Sequence, residues 1–410
     1  MIALRLFLSF GFGYFLSYLY RTVNAIIAPD LVRDLGLLPA SLGFLTSAYF
    51  LTFALFQLPL GLLLDRFGPR RVESLLLLLA AAGAFLFARA ESLTGLVLAR
   101  GLIGIGVSAC LMAAFKAFVL WFPPERLPLA NGVQMVSGGL GALAATVPVQ
   151  AALQLTDWRG VFLVLAGLTL LAALVIWLVV PEKAANATGE SFASQLAGLK
   201  KIFTSQPFWR LAPWAVVAQA SYLALYGLWS GPWLRDVARL DRDAVAQVLF
   251  VVSLAMMAGY FVFGDLAGRL VRRGISLQTT TAAGLLLFAL VQFVLLFGGP
   301  GTGPLLWVLF GFFGTTGILP YAVLAGMFPG QLSGRASTAL NLMVFVAAFS
   351  AQWAVGWMVG LYGVSAGDTY QPAGYRLGFG VMLGLQLLAM LWFRIAGKKG
   401  SSTGDRALGR

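Results

Sequence analysis

The sequence predicts an all-α integral membrane protein of twelve transmembrane helices in two pseudo-symmetric six-helix bundles. Three observations predict it: composition, the spacing of apolar stretches, and an internal repeat. The 410 residues are 60% hydrophobic and 10% charged. Soluble domains run at roughly 45 to 50% and about 25%, so most of this chain has to face lipid or other apolar helices. A net charge of +13 would suggest a nucleic-acid partner if the basic residues formed runs. Here they stand singly or in pairs between apolar stretches, which points to a lipid bilayer and away from nucleic acid. A single cysteine, Cys110, and the absence of histidine exclude an intramolecular disulfide and remove the commonest metal ligand and proton carrier. The N-terminal apolar segment lacks a small-residue cleavage site and reads as a first span that stays in the mature protein.

A span needs about 20 apolar residues. Stretches of that kind lie at about 5–28, 41–64, 73–90, 93–120, 129–153, 159–180, 210–234, 244–267, 275–298, 303–326, 336–361 and 376–396. Residues 181–209 are polar, with Lys200 and Lys201, and read as a linker. The expected units are an N-terminal bundle (1–180), the linker (181–209), a C-terminal bundle (210–397) and a tail (398–410). Of the 28 Lys and Arg, 18 fall on the side of the termini, 7 on the other, and Arg21, Arg100 and Lys116 within spans. The positive-inside rule therefore places both termini in the cytoplasm of a multi-pass protein of the cell membrane.

The halves repeat. Gly61-Leu-Leu-Leu-Asp65-Arg66-Phe-Gly68-Pro-Arg70-Arg71 after span 2 is echoed by Gly264-Asp265-Leu-Ala-Gly268-Arg269-Leu-Val-Arg272-Arg273 after span 8. Phe122-Pro123 with Arg126 after span 4 is echoed by Phe328-Pro329 with Arg335 after span 10. The second six spans replay the first six.

The stretch Gly61 to Arg71 resembles the loop between helices 2 and 3 of the major facilitator superfamily, with its Gly-x-x-x-Asp-Arg-x-Gly-Arg-Arg pattern. Chemistry explains the residue types: Gly61 permits close helix approach, Asp65 can pair with an arginine or a helix N-terminus, and Gly68 allows a tight turn. Arg100-Gly-Leu-Ile-Gly104-Ile-Gly106 in span 4, Gly138-Gly-Leu-Gly141 with Pro148 in span 5, and Asp157-Trp158-Arg159-Gly-Val-Phe162 are similar to further patterns of that family. The resemblance implies the major facilitator fold and a gating role, away from substrate, for Gly61, Asp65, Arg66, Gly68, Arg70, Arg71, Arg100 and Arg269.

Arg21 stands inside span 1, where a charge costs at least about 2.5 to 3.5 kcal/mol and persists where it faces water, a partner or a ligand. Tyr14, Ser17, Tyr18 and Asn24 share its helix face at spacings of 3 and 4, so that face is expected to line a cavity. The run Tyr18-Leu-Tyr-Arg21-Thr-Val-Asn24 through Ala28-Pro29 resembles helix 1 of the anion-handling branches, the organophosphate:phosphate antiporters and the anion:cation symporters. The resemblance implies that Arg21 binds the anionic group, a task suited to a planar, permanently charged guanidinium. The phosphate-ester antiporters carry a second arginine on helix 7, and the matching stretch here has none. That points to a carboxylate or sugar-acid-like anion. Gln219, Tyr222, Tyr226 and Trp229 form an aromatic, hydrogen-bonding stripe at helical spacing on span 7, fit to stack on an organic body. Lys116 is a further candidate for substrate contact. It is sixteen residues from Arg100, roughly 160 degrees around a straight helix, so the two are not expected to share a site.

The 15 acidic residues map to loops or span ends, Asp30, Asp65, Glu73 and Asp265 lying nearest the membrane, so no buried carboxylate relay is expected. No phosphate-cradling glycine loop of the ATPase type is present. The reading is a secondary active transporter of a small organic anion working by alternating access, with a proton or sodium ion as candidate co-ion. It is expected to be a monomer and not an enzyme, with no cofactor, metal or catalytic residue. The alternatives are a multidrug or metabolite exporter of the same superfamily, which would favour intramembrane carboxylates, and a non-transporting receptor or scaffold of the same fold.

Overall fold

Apolar stretches too long for a soluble core become helices that satisfy their own backbone hydrogen bonds, the one open solution inside lipid besides a closed barrel. In the computed structural model, residues 2–123, 126–182, 192–365 and 369–407 are described. Eleven of the described helices are long and apolar enough to cross a membrane. One of them, Pro39–Arg89, is two spans: Gly68, at φ 78° and ψ 160°, interrupts it in a conformation that favours glycine. Twelve spans result.

Helix 1 is Ile2–Thr22 continued by Asn24–Leu35. Helices 2 and 3 are the arms of Pro39–Arg89, and helix 4 is Leu93–Gly106 followed by Cys110–Trp121. Helix 5 is Leu127–Ala144 with Val147–Leu153, and helix 6 is Trp158–Val179. In the second half, helix 7 runs Gln206–Ala224, a π turn Leu225–Trp229, then Ser230–Asp236. Helices 8 and 9 are Arg242–Arg272 and Leu277–Leu295. Helix 10 is Gly303–Gly314 and Leu319–Gly326 joined by a 3-10 turn, Thr315–Ile318. Helices 11 and 12 are Gly330–Gly360 and Pro372–Ala407, linked through a two-residue antiparallel pairing.

Most departures from regular helix follow the repeat; the break at Ala145–Thr146 in helix 5 has no counterpart in helix 11. Helices 1 and 7 are both interrupted, and so are helices 4 and 10. Interrupted helices are tolerated at membrane depth where other groups take up the freed backbone. Arg100 does this for helix 1: its Nη2 donates to the Tyr20 carbonyl at 2.8 Å, a cation at the end of that helix segment. The sequence-predicted helix 4 was straight; the break at Val107–Ala109 removes the basis for the angle between Arg100 and Lys116.

Regular starts carry side-chain caps. Ser92, Asp157, Asp241 and Ser276 each accept from the backbone N–H three residues on, an arrangement that offsets the orphan donors of a helix N-terminus. Helix 1 extends to Leu35, beyond the expected 28. The expected 181–209 linker contains a helix, Phe192–Phe203, packed against helix 11; residues 183–191 lie outside the described residues. Helix 12 continues through most of the expected tail, and residues 408–410 also lie outside the described set.

Candidate substrate site and gates

Arg21 is in the last turn of the first segment of helix 1 and is 9% exposed. Its guanidinium carbon lies 4.6 Å from the Tyr18 ring centre, 5.5 Å from Phe53 and 5.3 Å from Phe345. Tyr18 and Phe53 belong to the N-terminal half and Phe345 to helix 11, so both halves touch this one cation. Such ring faces each attract a desolvated cation by about 2 kcal/mol. Among the described residues no carboxylate pairs with Arg21, and its Nε has no hydrogen-bond partner. Tyr49, on helix 2, is a polar neighbour of Arg21 and donates to the Ser17 carbonyl at 3.3 Å.

The other expected contacts divide. Tyr14 and Tyr18 meet edge to face at 5.2 Å on the Arg21 face of helix 1. Asn24 is buried with Oδ1 unpartnered. On helix 7, Tyr222 stacks on Tyr226 at 5.7 Å and on Phe310 at 5.8 Å, its Oη without a partner, as is Gln219 Oε1. Tyr226 is hydrogen-bonded to Ser253 at 2.7 Å. Tyr14, Tyr222, Tyr226, Tyr260 and Tyr321 lie near Tyr18, which gathers phenols from helices 1, 7, 8 and 10 around one region.

Two expected contacts have other partners. Lys116 Nζ donates to Asp65 Oδ1 at 2.6 Å, which joins it to the charged loop. Trp229 is fully buried, donates to the Gln352 carbonyl at 3.1 Å and meets Tyr375 edge to face at 6.3 Å, so it packs helices 7, 11 and 12 together. Tyr49, Phe53, Phe345 and Tyr260 were missed from sequence. As apolar or aromatic residues on other helices they carry no local signal of facing Arg21.

Apart from Arg100, the expected gating residues lie at the end of the bundle that carries the termini. Gly61 is half-buried on helix 2, and Arg66 is exposed over the Phe67 ring at 5.2 Å. Past the Gly68 turn, Arg70 donates to the Trp177 carbonyl at 2.9 Å, and Arg70 and Arg71 reach Glu182. All these partners belong to the N-terminal half. Arg269 pairs with Asp265 at 2.7 Å on the exposed end of helix 8. Arg100 is fully buried among Tyr49, Phe87 and Phe162.

At the opposite end the halves are tied to each other. Arg242 of helix 8 holds both oxygens of Asp30 of helix 1, with Nη1 to Oδ1 at 3.0 Å. Gln150 and Gln154 of helix 5 donate to Asp243 at 3.1 and 3.5 Å. Phe44 of helix 2 lies 5.2 Å from Trp353 of helix 11.

Glu73 is not at a span end as expected: helix continues from the Gly68 turn, which places Glu73 inside the bundle with 0% exposure and, apart from the Cys110 thiol, no partner for either oxygen. A carboxyl is therefore buried within the N-terminal half.

Twelve spans in two halves, interrupted helices at matching positions and a cation enclosed between the halves define a membrane transporter. The chain belongs to the Major Facilitator Superfamily, whose sequence model matches residues 10–349. It is 26% identical to the probable sulfoacetate transporter SauU of Cupriavidus necator, over 70% of each chain. It is 25% identical to the hexuronate transporter of Escherichia coli K12, over 62% of each. Among solved structures, a bacterial homolog of the human lysosomal transporter Spinster, in an inward-facing unoccupied conformation, superposes with a TM-score of 0.79 at 18% identity over 97% of both chains. The D-xylose–proton symporter gives 0.72 at 16% identity over 96% of both, and these likenesses concern the fold. The matched family and relatives are transporters, not enzymes.

Proposed function

We propose that this chain is a secondary active transporter of a small organic anion, a sugar-acid carboxylate or a short sulfonate, held by Arg21 between the two halves. The observation that carries the reading is a buried guanidinium that both halves surround with aromatic rings and that has no carboxylate partner among the described residues. A buried cation of this kind is strongly stabilised by an anion that accepts its planar fork of donors. The unpartnered Asn24 Oδ1, Gln219 Oε1 and Tyr222 Oη suit the hydroxyls of a sugar acid. Relatives named for sulfoacetate and hexuronate transport support the anion class.

In this reading the termini are cytoplasmic, and the Asp30–Arg242 and Asp243 contacts close the outer end. Rocking of the halves about the Arg21 region then gives alternating access. Asp65, Lys116, Arg70 and Arg71 form the inner latch, and the protein works as a monomer in the bilayer.

The test is uptake of labelled galacturonate and sulfoacetate into proteoliposomes, with a lipophilic cation for comparison. Saturable uptake of an anion that Arg21→Ala abolishes supports the reading. Uptake of the cation alone, or anion uptake indifferent to Arg21→Ala, contradicts it.

A further inference from the structure

We propose that Glu73 is a proton-binding site that couples proton movement to the anion held at Arg21. The inference rests on the anion-transport reading and adds its co-ion and the side chain that carries it.

Glu73 is enclosed on all sides. Its Oε1 lies so close to helix 1 that a Cβ on Gly13 would stand 2.4 Å from it, so only glycine fits there without displacing the carboxyl. Apart from the Cys110 thiol beside it, neither oxygen has a hydrogen-bond partner. An ionised carboxylate left unpaired in such surroundings is strongly disfavoured, and Glu73 therefore carries its proton.

The titratable group facing it is the Cys110 thiol of helix 4. The charged groups on the surrounding helices are held elsewhere: Arg21 among its rings, Arg100 at Tyr20, Lys116 at Asp65, Arg70 and Arg71 at Glu182. Helix 6 carries no titratable side chain between Arg159 and Glu182.

The site is connected to the anion anchor. Ser9, Gly13, Ser17 and Arg21 recur every fourth residue and share one face of helix 1. Ser17 Oγ donates to the Val107 carbonyl at 3.5 Å, at the break in helix 4. Cys110 begins the segment after that break and lies near both Glu73 and Arg21. A shift of helix 1 against helices 3 and 4 within its half would move both the anchor and the carboxyl's surroundings. The C-terminal half offers a contrast: its buried Gln292–Gln386 pair is reciprocally hydrogen-bonded at 3.1 and 2.8 Å and cannot titrate. The proton enters Glu73 on one side of the membrane and leaves it on the other, so a monoanion and a proton cross without net charge.

Two readouts test this. Infrared difference spectra of wild-type protein in liposomes, recorded from about pH 5 to about pH 9, should show a buried-carboxyl stretch that titrates and is absent from Glu73→Gln. A band that never titrates, or that titrates unchanged in the variant, overturns the assignment whatever the substrate. With galacturonate as transport probe, a gradient of about one pH unit drives about tenfold accumulation if one proton accompanies each anion. The ratio of gradient-driven uptake to exchange of labelled for unlabelled galacturonate should fall about tenfold in Glu73→Gln. An unchanged ratio overturns the proposal. Wild-type protein that exchanges no galacturonate refutes that substrate class for the Arg21 site, and the infrared titration still decides Glu73.

Discussion

Arg242 on helix 8 grips Asp30 on helix 1 with two guanidinium nitrogens, one of them 3.0 Å from its oxygen, and so joins the second half of the chain to the first. Asp30 is 5% exposed, which shields this contact from solvent on the carboxylate side. Among the described residues, the ion pairs Lys116–Asp65 and Arg71–Glu182 at the other end do not reach the C-terminal bundle. The Asp30–Arg242 and Gln150–Asp243 contacts hold that end closed.

Asp30→Asn should loosen that closure. Hydrogen bonds to charged groups contribute about 1.5 to 3 kcal/mol, and with Arg242 partly exposed the lower value applies. A loss near about 1.4 kcal/mol shifts the ratio of closed to open by about tenfold. Spin labels at the exposed Leu155 and Leu361, at the ends of helices 5 and 11, should report a longer-distance population in the variant.

Arg21→Ala should lower transport by about 100-fold or more, because two charge-assisted hydrogen bonds to an anion are lost together. Arg21→Lys should retain a charge but lose the planar fork, and fall between wild type and Arg21→Ala. Initial uptake rates of galacturonate in proteoliposomes check both.

Asp65→Asn and Lys116→Ala should resemble each other. Their side chains meet at 2.6 Å, so each variant breaks the same latch: substrate dissociation constants should change little while turnover falls. A Lys116→Ala variant whose affinity drops as far as that of Arg21→Ala would return Lys116 to the substrate.

Tyr222→Phe and Tyr226→Phe should separate. The Tyr226 hydroxyl is bonded to Ser253 and the Tyr222 hydroxyl has no partner. Removing the first should cost about 1 kcal/mol of stability and removing the second almost none. Melting temperatures in detergent would show a drop for Tyr226→Phe alone, whereas binding assays should show weakened anion affinity for Tyr222→Phe.

The twelve spans, the repeat and the Gly68 turn were legible because hydropathy and glycine punctuation are local properties. The interruptions in helices 1, 4, 7 and 10 were not, since residues such as Val23, Val107 and Thr315 read as ordinary span content. Glu73 was misplaced by drawing a loop where the helix resumes directly after Gly68, and one turn of helix decides between surface and interior. Arg21 could be singled out alone, because a charge inside a span demands a reason. Its ring of Tyr49, Phe53 and Phe345 could not, since aromatic residues abound in every span and only tertiary packing selects three of them. The Asp30–Arg242 contact joins residues 212 positions apart, and nothing local to either announces the other.

The central claim is that Arg21 is the anchor for an organic anion. Titration calorimetry of galacturonate and sulfoacetate against purified wild-type protein and Arg21→Ala tests it most directly. Saturable binding of at least one anion to the wild type, weakened by about 100-fold or more in Arg21→Ala, is the result expected from the loss of about 3 kcal/mol of charge-assisted hydrogen bonding. Equal affinity in the two proteins would contradict it.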